Sequence, residues 1–134
     1  MTKEQRATGR TPPSQRRILV VEDEWVLAMM LQDMLAELGH TVVAMASKLK
    51  DGLVMAEKGD FDFAILDVSL DGEMSHPIAE VLDRKGLPYV FATGYSAAGI
   101  RASRLQLRGP LLLKPYGLED LRRILPTGWQ RAPT

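Results

Sequence analysis

Short, wholly apolar runs recur along this chain, and each is followed by a stretch whose apolar residues fall at helical spacing. An apolar run without polar alternation suits a strand covered on both faces, and such strands belong to parallel sheets flanked by helices. Residues 18–21 form the first run and lead into Glu22-Asp23. Leu27, Met30, Leu31, Met34, Leu35 and Leu38 then line one helical face, with Gly39 as the stop. Residues 41–46 read as a second strand, and Ser47 is placed to cap a helix carrying Leu49, Leu53 and Ala56 that ends at Gly59. Residues 63–66 are a third strand, ending in Asp67. Ser75 is placed to cap a helix with Pro77 in its first turn, Ile78, Val81 and Leu82 on its face and Gly86 as its stop. Residues 88–92 are a fourth strand, followed by Thr93-Gly94. Residues 96–107 make a poor helix, broken by Gly99 and anchored by Ile100 and Leu105. Residues 111–113 are a fifth strand leading to Lys114-Pro115, and Leu118, Leu121, Ile124 and Leu125 mark a last helix that Pro126 closes.

Five strands alternating with five helices predict an α/β fold, a doubly wound parallel sheet joined by right-handed crossovers. Periodicity alone leaves the strand order open. The 134 residues suffice for one such domain and not for two. Residues 1–17, with Pro12-Pro13 and several Arg, are expected to be a flexible basic tail; residues 18–126 form the domain and 127–134 a short C-terminal tail.

Composition removes several function classes. Seventeen basic side chains balance seventeen acidic ones, which disfavours a general nucleic-acid binder. Arg101, Arg104, Arg108, Arg122 and Arg123 make the last third basic, but no aromatics interleave with them, so they read as a solvated face. Cysteine is absent, which excludes disulfide scaffolds, thiolate metal sites and cysteine nucleophiles. No apolar run nears the roughly 18 residues of a membrane span, and the polar N-terminus lacks a signal-peptide core. The expectation is a cytoplasmic protein without membrane or nucleic-acid partners.

In open parallel α/β sheets, ligands bind beyond the carboxyl ends of the strands. Strand one delivers Glu22 and Asp23 there, strand three Asp67, strand four Thr93 and strand five Lys114. Neighbouring carboxylates cannot all stay ionised without a counter-charge. Lys114 supplies one, and a divalent cation can supply the rest. All-oxygen ligands with few protein donors suit Mg²⁺, which keeps several waters and leaves room for phosphoryl oxygens. Zinc fits poorly, because His40 and His76 lie away from the strand ends and read as surface residues beside a turn and a helix start. A carboxylate beside Mg²⁺ and an ammonium can attack phosphorus and become an acyl phosphate, with the Thr93 hydroxyl donating to a phosphoryl oxygen.

The spaced set Glu22-Asp23, Asp67, Thr93 and Lys114-Pro115 resembles a response-regulator receiver domain from about residue 18 to 125. The resemblance implies a (βα)5 flavodoxin-like sheet of order 2-1-3-4-5. It implies that Asp67 is the phosphoacceptor, Asp23 the direct ligand of Mg²⁺ and Glu22 its partner. Ser69 would give its backbone carbonyl to the metal, Thr93 would be the switch hydroxyl and Lys114 the conserved lysine, with Lys114-Pro115 a cis peptide. The run Phe91-Ala92-Thr93-Gly94-Tyr95, with Asp67-Val-Ser-Leu-Asp-Gly-Glu, resembles the FATGUY subgroup of single-domain receivers, which is associated with histidine kinases of the HWE and HisKA2 type. Leu111 stands where receivers usually carry an aromatic switch residue, so either Tyr95 takes that role or there is no rotameric switch. The usual Pro after the acceptor is missing: Leu70-Asp71-Gly72 makes a different turn, and Asp71 and Glu73 add negative charge nearby.

The reading that follows is a stand-alone receiver. It takes a phosphoryl group from a kinase phosphohistidine and either changes its binding to a downstream effector or phosphotransferase or serves as a phosphate sink. It catalyses only its own phosphorylation and dephosphorylation. A phosphorylation-independent interaction module is an alternative, opposed by the intact residue set. An aspartyl-phosphate phosphohydrolase is another, opposed by Ser69 where such enzymes carry an acid–base Asp. Trp25, Val26 and Met29 lie off the core stripe of the first helix, near the acidic pair, and form a candidate dock for the donor's helix. Residues 96–107 are the candidate reporting element. The resemblance is compatible with a monomer or a weak homodimer.

Overall fold

The computed structural model describes residues 15–94 and 111–125. Chain order runs β1 (Arg17–Val21), α1 (Trp25–Glu37), β2 (Thr41–Ala46), α2 (Leu49–Lys58), β3 (Phe63–Asp67), the short β4 (Ser69–Leu70) and β5 (Glu73–Met74), α3 (His76–Lys85), β6 (Tyr89–Thr93), β7 (Leu111–Leu113) and α4 (Leu118–Ile124). The main sheet has the order β2-β1-β3-β6-β7 with every pair parallel. Counting its five strands alone, this is 2-1-3-4-5, the flavodoxin-like order that the resemblance implies. The helix expected over residues 96–107, with Arg101, Arg104 and Arg108, lies outside the described residues, as do Tyr95, Pro126 and residues 127–134.

Two apolar layers hold the sheet, because successive side chains of a strand point to opposite faces. Ile18 and Val20 pack with Leu31 and Leu35 of α1 and Leu121 of α4. Leu19 and Val21 pack with Ala56 of α2 and with Ile78 and Leu82 of α3. All of β3 is buried, which is why its sequence shows no alternation. Each large side chain buried in these layers contributes about 1.5–3 kcal/mol.

Several expectations need correction. The strand begins at Arg17, and Arg16 is buried with its carbonyl accepting the Thr41 N–H, so the tail boundary drawn after residue 17 falls inside the ordered sheet. His40 is buried rather than on the surface, and its Nδ1 accepts the Arg16 N–H at 3.0 Å. Met30 is 53% exposed: the inward face of α1 is Ala28, Leu31 and Leu35, and Met30 falls beside it. Lys48 rather than Ser47 precedes α2, with no side-chain cap. Ser75 does precede α3, but its backbone is already helical, so the hydroxyl is out of capping position and stays buried without a partner. Gly86 ends α3 in the left-handed region, and Leu87 donates back to the Leu82 carbonyl. The pair β4–β5, an antiparallel hairpin, was not anticipated.

Candidate metal centre

The sheet order sets the site. Strands β1, β3, β6 and β7 lie side by side, and parallel pairing brings their carboxyl ends to one edge. Val21 pairs with Leu66, Asp67 with Ala92 and Thr93 with Leu113, so the polar residues at or just past these positions converge. Glu22, Asp23 and Asp67 each offer a carboxylate oxygen within 4.8 Å of the others. The Lys114 Nζ reaches into the same place from β7, 2.9 Å from Glu22 Oε1 and 3.2 Å from Asp67 Oδ2. Four of the residues singled out from sequence thus meet, contributed by three strands.

Backbone groups fix them. The Glu22 N–H donates to Ala46, which anchors the turn after β1. The second Glu22 oxygen accepts the Glu24 N–H at 3.0 Å. The Lys114 N–H donates to the Thr93 carbonyl at 2.8 Å, and the Lys114-Pro115 bond is cis. Thr93 is buried at the end of β6. Ser69 lies two residues past Asp67, in β4 and opposite Met74.

The electrostatics are those of too much negative charge in one place. Burial and the charge of Glu22 push the Asp67 carboxyl up to about 7, against the pull of Lys114. Burial also opposes ionisation of Asp23, but hydrogen bonds involving Glu22, the Asp71 N–H and Asp67 outweigh it and hold Asp23 below the usual carboxylate range. Burial lowers Lys114, and the bond to Glu22 and the charge of Asp67 more than reverse this, so it remains an ammonium. Tyr116 is pushed up to about 12, by burial and then by Glu22. Three clustered oxygen donors with one ammonium leave negative charge to neutralise, and that donor set fits a hard cation such as Mg²⁺.

Trp25 and Met29 lie on α1 and are exposed together with Val26 and Met30. Beside them a cavity of about 300 Å³ is lined by Leu27, Met30, Met34, Lys114, Pro115 and Tyr116. Two participants escaped the sequence reading. One is the Asp71 N–H, which donates to Asp23 Oδ2 at 2.9 Å across 48 residues. The other is Tyr116; its place directly after Lys114-Pro115 was the available signal. Among the described residues, no helix is long and apolar enough to cross a membrane.

Residues 18–125 match the family model of the response regulator receiver domain. The chain belongs to that family. The receiver is similar to SdrG from Sphingomonas melonis Fr1, with 41% identity and a TM-score of 0.69 over 82% of this chain and 92% of that one. It is 34% identical over 131 residues to the transcriptional regulatory protein TcrA of Mycobacterium tuberculosis, covering 96% of this chain and 51% of TcrA. The receiver spans about half the length of the curated relatives it matches. Its fold is shared with the receiver domain of the sensor histidine kinase PA1611 from Pseudomonas aeruginosa, at 23% identity and TM-score 0.70 over 83% of this chain and 94% of that one; that structure has a magnesium ion coordinated in its active-site cleft.

Proposed function

We propose that this receiver accepts a phosphoryl group from a histidine-kinase phosphohistidine onto Asp67, with Mg²⁺ held by Glu22, Asp23, Asp67 and the Ser69 carbonyl. The observation that carries the reading is the meeting of three carboxylates and the Lys114 ammonium at the carboxyl edge of the sheet. An Asp67 carboxylate oxygen bonds to phosphorus as the phosphorus–nitrogen bond of the donor breaks, and the electron pair returns to the leaving imidazole. Lys114, now 3.2 Å from Asp67, follows the charge onto a phosphoryl oxygen, and the Thr93 hydroxyl donates to another. Mg²⁺, when bound, neutralises charge on the transferring group.

The exposed Trp25 and Met29, next to the apolar cavity under Lys114, suit an amphipathic helix presenting the phosphohistidine. The run Phe91–Tyr95 supports placement in the FATGUY subgroup, acting as a stand-alone cytoplasmic receiver served by an HWE or HisKA2 kinase. Its output is altered binding to a protein effector or phosphotransferase, or removal of phosphate from the kinase, with Tyr95 as the aromatic switch and no turnover of a separate substrate. The receiver works as a monomer or weak homodimer.

Incubation with Mg²⁺ and a small phosphodonor, followed by intact mass, tests this. A gain of about 80 Da, one phosphoryl group, is expected and should disappear in Asp67→Asn. No gain with a donor that phosphorylates another receiver in parallel would refute it.

A further inference from the structure

The β4–β5 hairpin makes a contact with the acidic cluster. Its two-residue connection is Asp71-Gly72, and both residues have positive φ, +51° and +89°, as a type I′ turn demands. Asp is among the few non-glycine residues that tolerate this region. The hairpin's base is fixed rather than loose. Leu70 is buried with Val68 and Ile78, the Val68 N–H donates to Ala92 of β6, and the Ser75 N–H donates to Val68. From that base the tip returns to the acidic cluster, where the Asp71 N–H donates to Asp23 Oδ2 at 2.9 Å. One oxygen of Asp23 is thereby held, and the carboxylate keeps a second for a cation.

We infer that the β4–β5 hairpin is a positioning element of the cation site, acting through the Asp71 N–H on Asp23; this presupposes that Glu22, Asp23 and Asp67 hold Mg²⁺ as proposed above. The contribution comes from the backbone, so the Asp71 carboxylate is dispensable and the turn geometry is not. Asp71 and Gly72 are both exposed, and a Cβ built on Gly72 meets nothing within 4 Å. A side chain there acts only through the backbone conformation it disfavours.

The test is Mg²⁺ affinity by calorimetry, with the urea midpoint measured on each variant in EDTA. Asp71→Pro deletes the N–H and cannot adopt positive φ; it should weaken Mg²⁺ roughly tenfold, the scale on which groups that orient metal ligands act. Gly72→Val, which opposes the turn and keeps the N–H, should weaken it in the same direction and decides the matter if the proline variant fails to fold. Asp71→Gly keeps the N–H and favours the turn, so its affinity should stay within about threefold of the parent. In the parent, the Asp71 amide resonance should move on Mg²⁺ titration. A folded Asp71→Pro or Gly72→Val with parental affinity overturns the inference. A loss in Asp71→Gly as large as in Asp71→Pro also overturns it, by assigning the effect to the carboxylate. A parent that binds no Mg²⁺ refutes the cation site itself, a result distinct from either.

Discussion

Removing the Asp67 carboxylate should stabilise the metal-free protein. Asp67 sits with two other carboxylates whose oxygens lie within 4.8 Å, and one ammonium at 3.2 Å offsets part of the repulsion. At an effective dielectric of about 20, each carboxylate pair at that range costs about 3.5 kcal/mol, so two repulsions outweigh one attraction. The Asp67 carboxyl, raised from 3.8 to about 7 by burial first and then by the charge of Glu22 against the pull of Lys114, likewise disfavours the ionised form. The sign follows from proton counting. Between these two values the folded state keeps a proton that the unfolded chain has lost, so Asp67 lowers stability as pH rises through that window, and the full penalty stands above it. Asp67→Asn removes the charge and leaves Lys114 paired with Glu22. Allowing for the lost attraction, the variant should gain about 2 kcal/mol at pH 8 in EDTA, a rise of roughly 1 M in urea midpoint. The gain should shrink towards zero as pH falls to about 4, where the parent Asp67 is neutral in the fold and half protonated when unfolded. Mg²⁺ at a hundred times its dissociation constant should stabilise the parent by about 2.7 kcal/mol and close the gap. Urea unfolding followed by far-UV circular dichroism reads all three conditions. A variant midpoint at or below the parent's, in EDTA at pH 8, would refute the account of charge crowding.

Lys114→Met should cost about 3 kcal/mol in EDTA, because it leaves Glu22 and Asp67 buried without their cation, and Mg²⁺ should restore part of the loss; urea midpoints with and without the metal measure both. His40 is held below its ordinary value by burial and by Arg16, so its stability contribution is present above pH 6.5 and is lost as pH falls through the folded value. His40→Ala should therefore cost about 1–3 kcal/mol at pH 8, by stranding the Arg16 N–H, and should show a flatter stability profile below pH 6.5 in the same assay. Met29→Lys should slow phosphoryl transfer from a kinase about tenfold while leaving phosphorylation by a small donor unchanged, and radiolabel transfer kinetics separate the two.

The succession of strands and helices was legible because it rests on burial, and burial writes itself as unbroken apolar runs in β3 and as helical spacing in α1. The site was legible for a related reason: parallel strands end at one edge, so a polar residue closing each apolar run is placed by the topology alone. What stayed hidden depended on contacts between distant stretches. His40 looks like a surface residue beside Gly39 until the Arg16 N–H, 24 residues away, is seen to need its ring nitrogen. Met30 differs from Leu31 by one helical step, and apolar spacing does not say where the inward stripe stops. The β4–β5 hairpin has strands of two residues, too short for any period, and its one signal was the Asp71-Gly72 pair.

Lys114 ties the chemistry to the sheet. Its ammonium bridges Glu22 and Asp67, and its N–H bonds to the Thr93 carbonyl, so β6 and β7 are joined where the charge changes. The phosphorylation proposed for Asp67 would replace one negative charge there by about two and carry it beyond the original carboxylate. Glu22 stays where the Glu24 N–H holds it, so the ammonium is drawn from a fixed partner towards a stronger, displaced one. The response should thus be carried by Lys114 and Thr93. The interior of α3 is a poor candidate: Ile78, Ala79, Val81 and Leu82 are packed in the apolar layer shared with α2, and close-packed side chains resist small displacements.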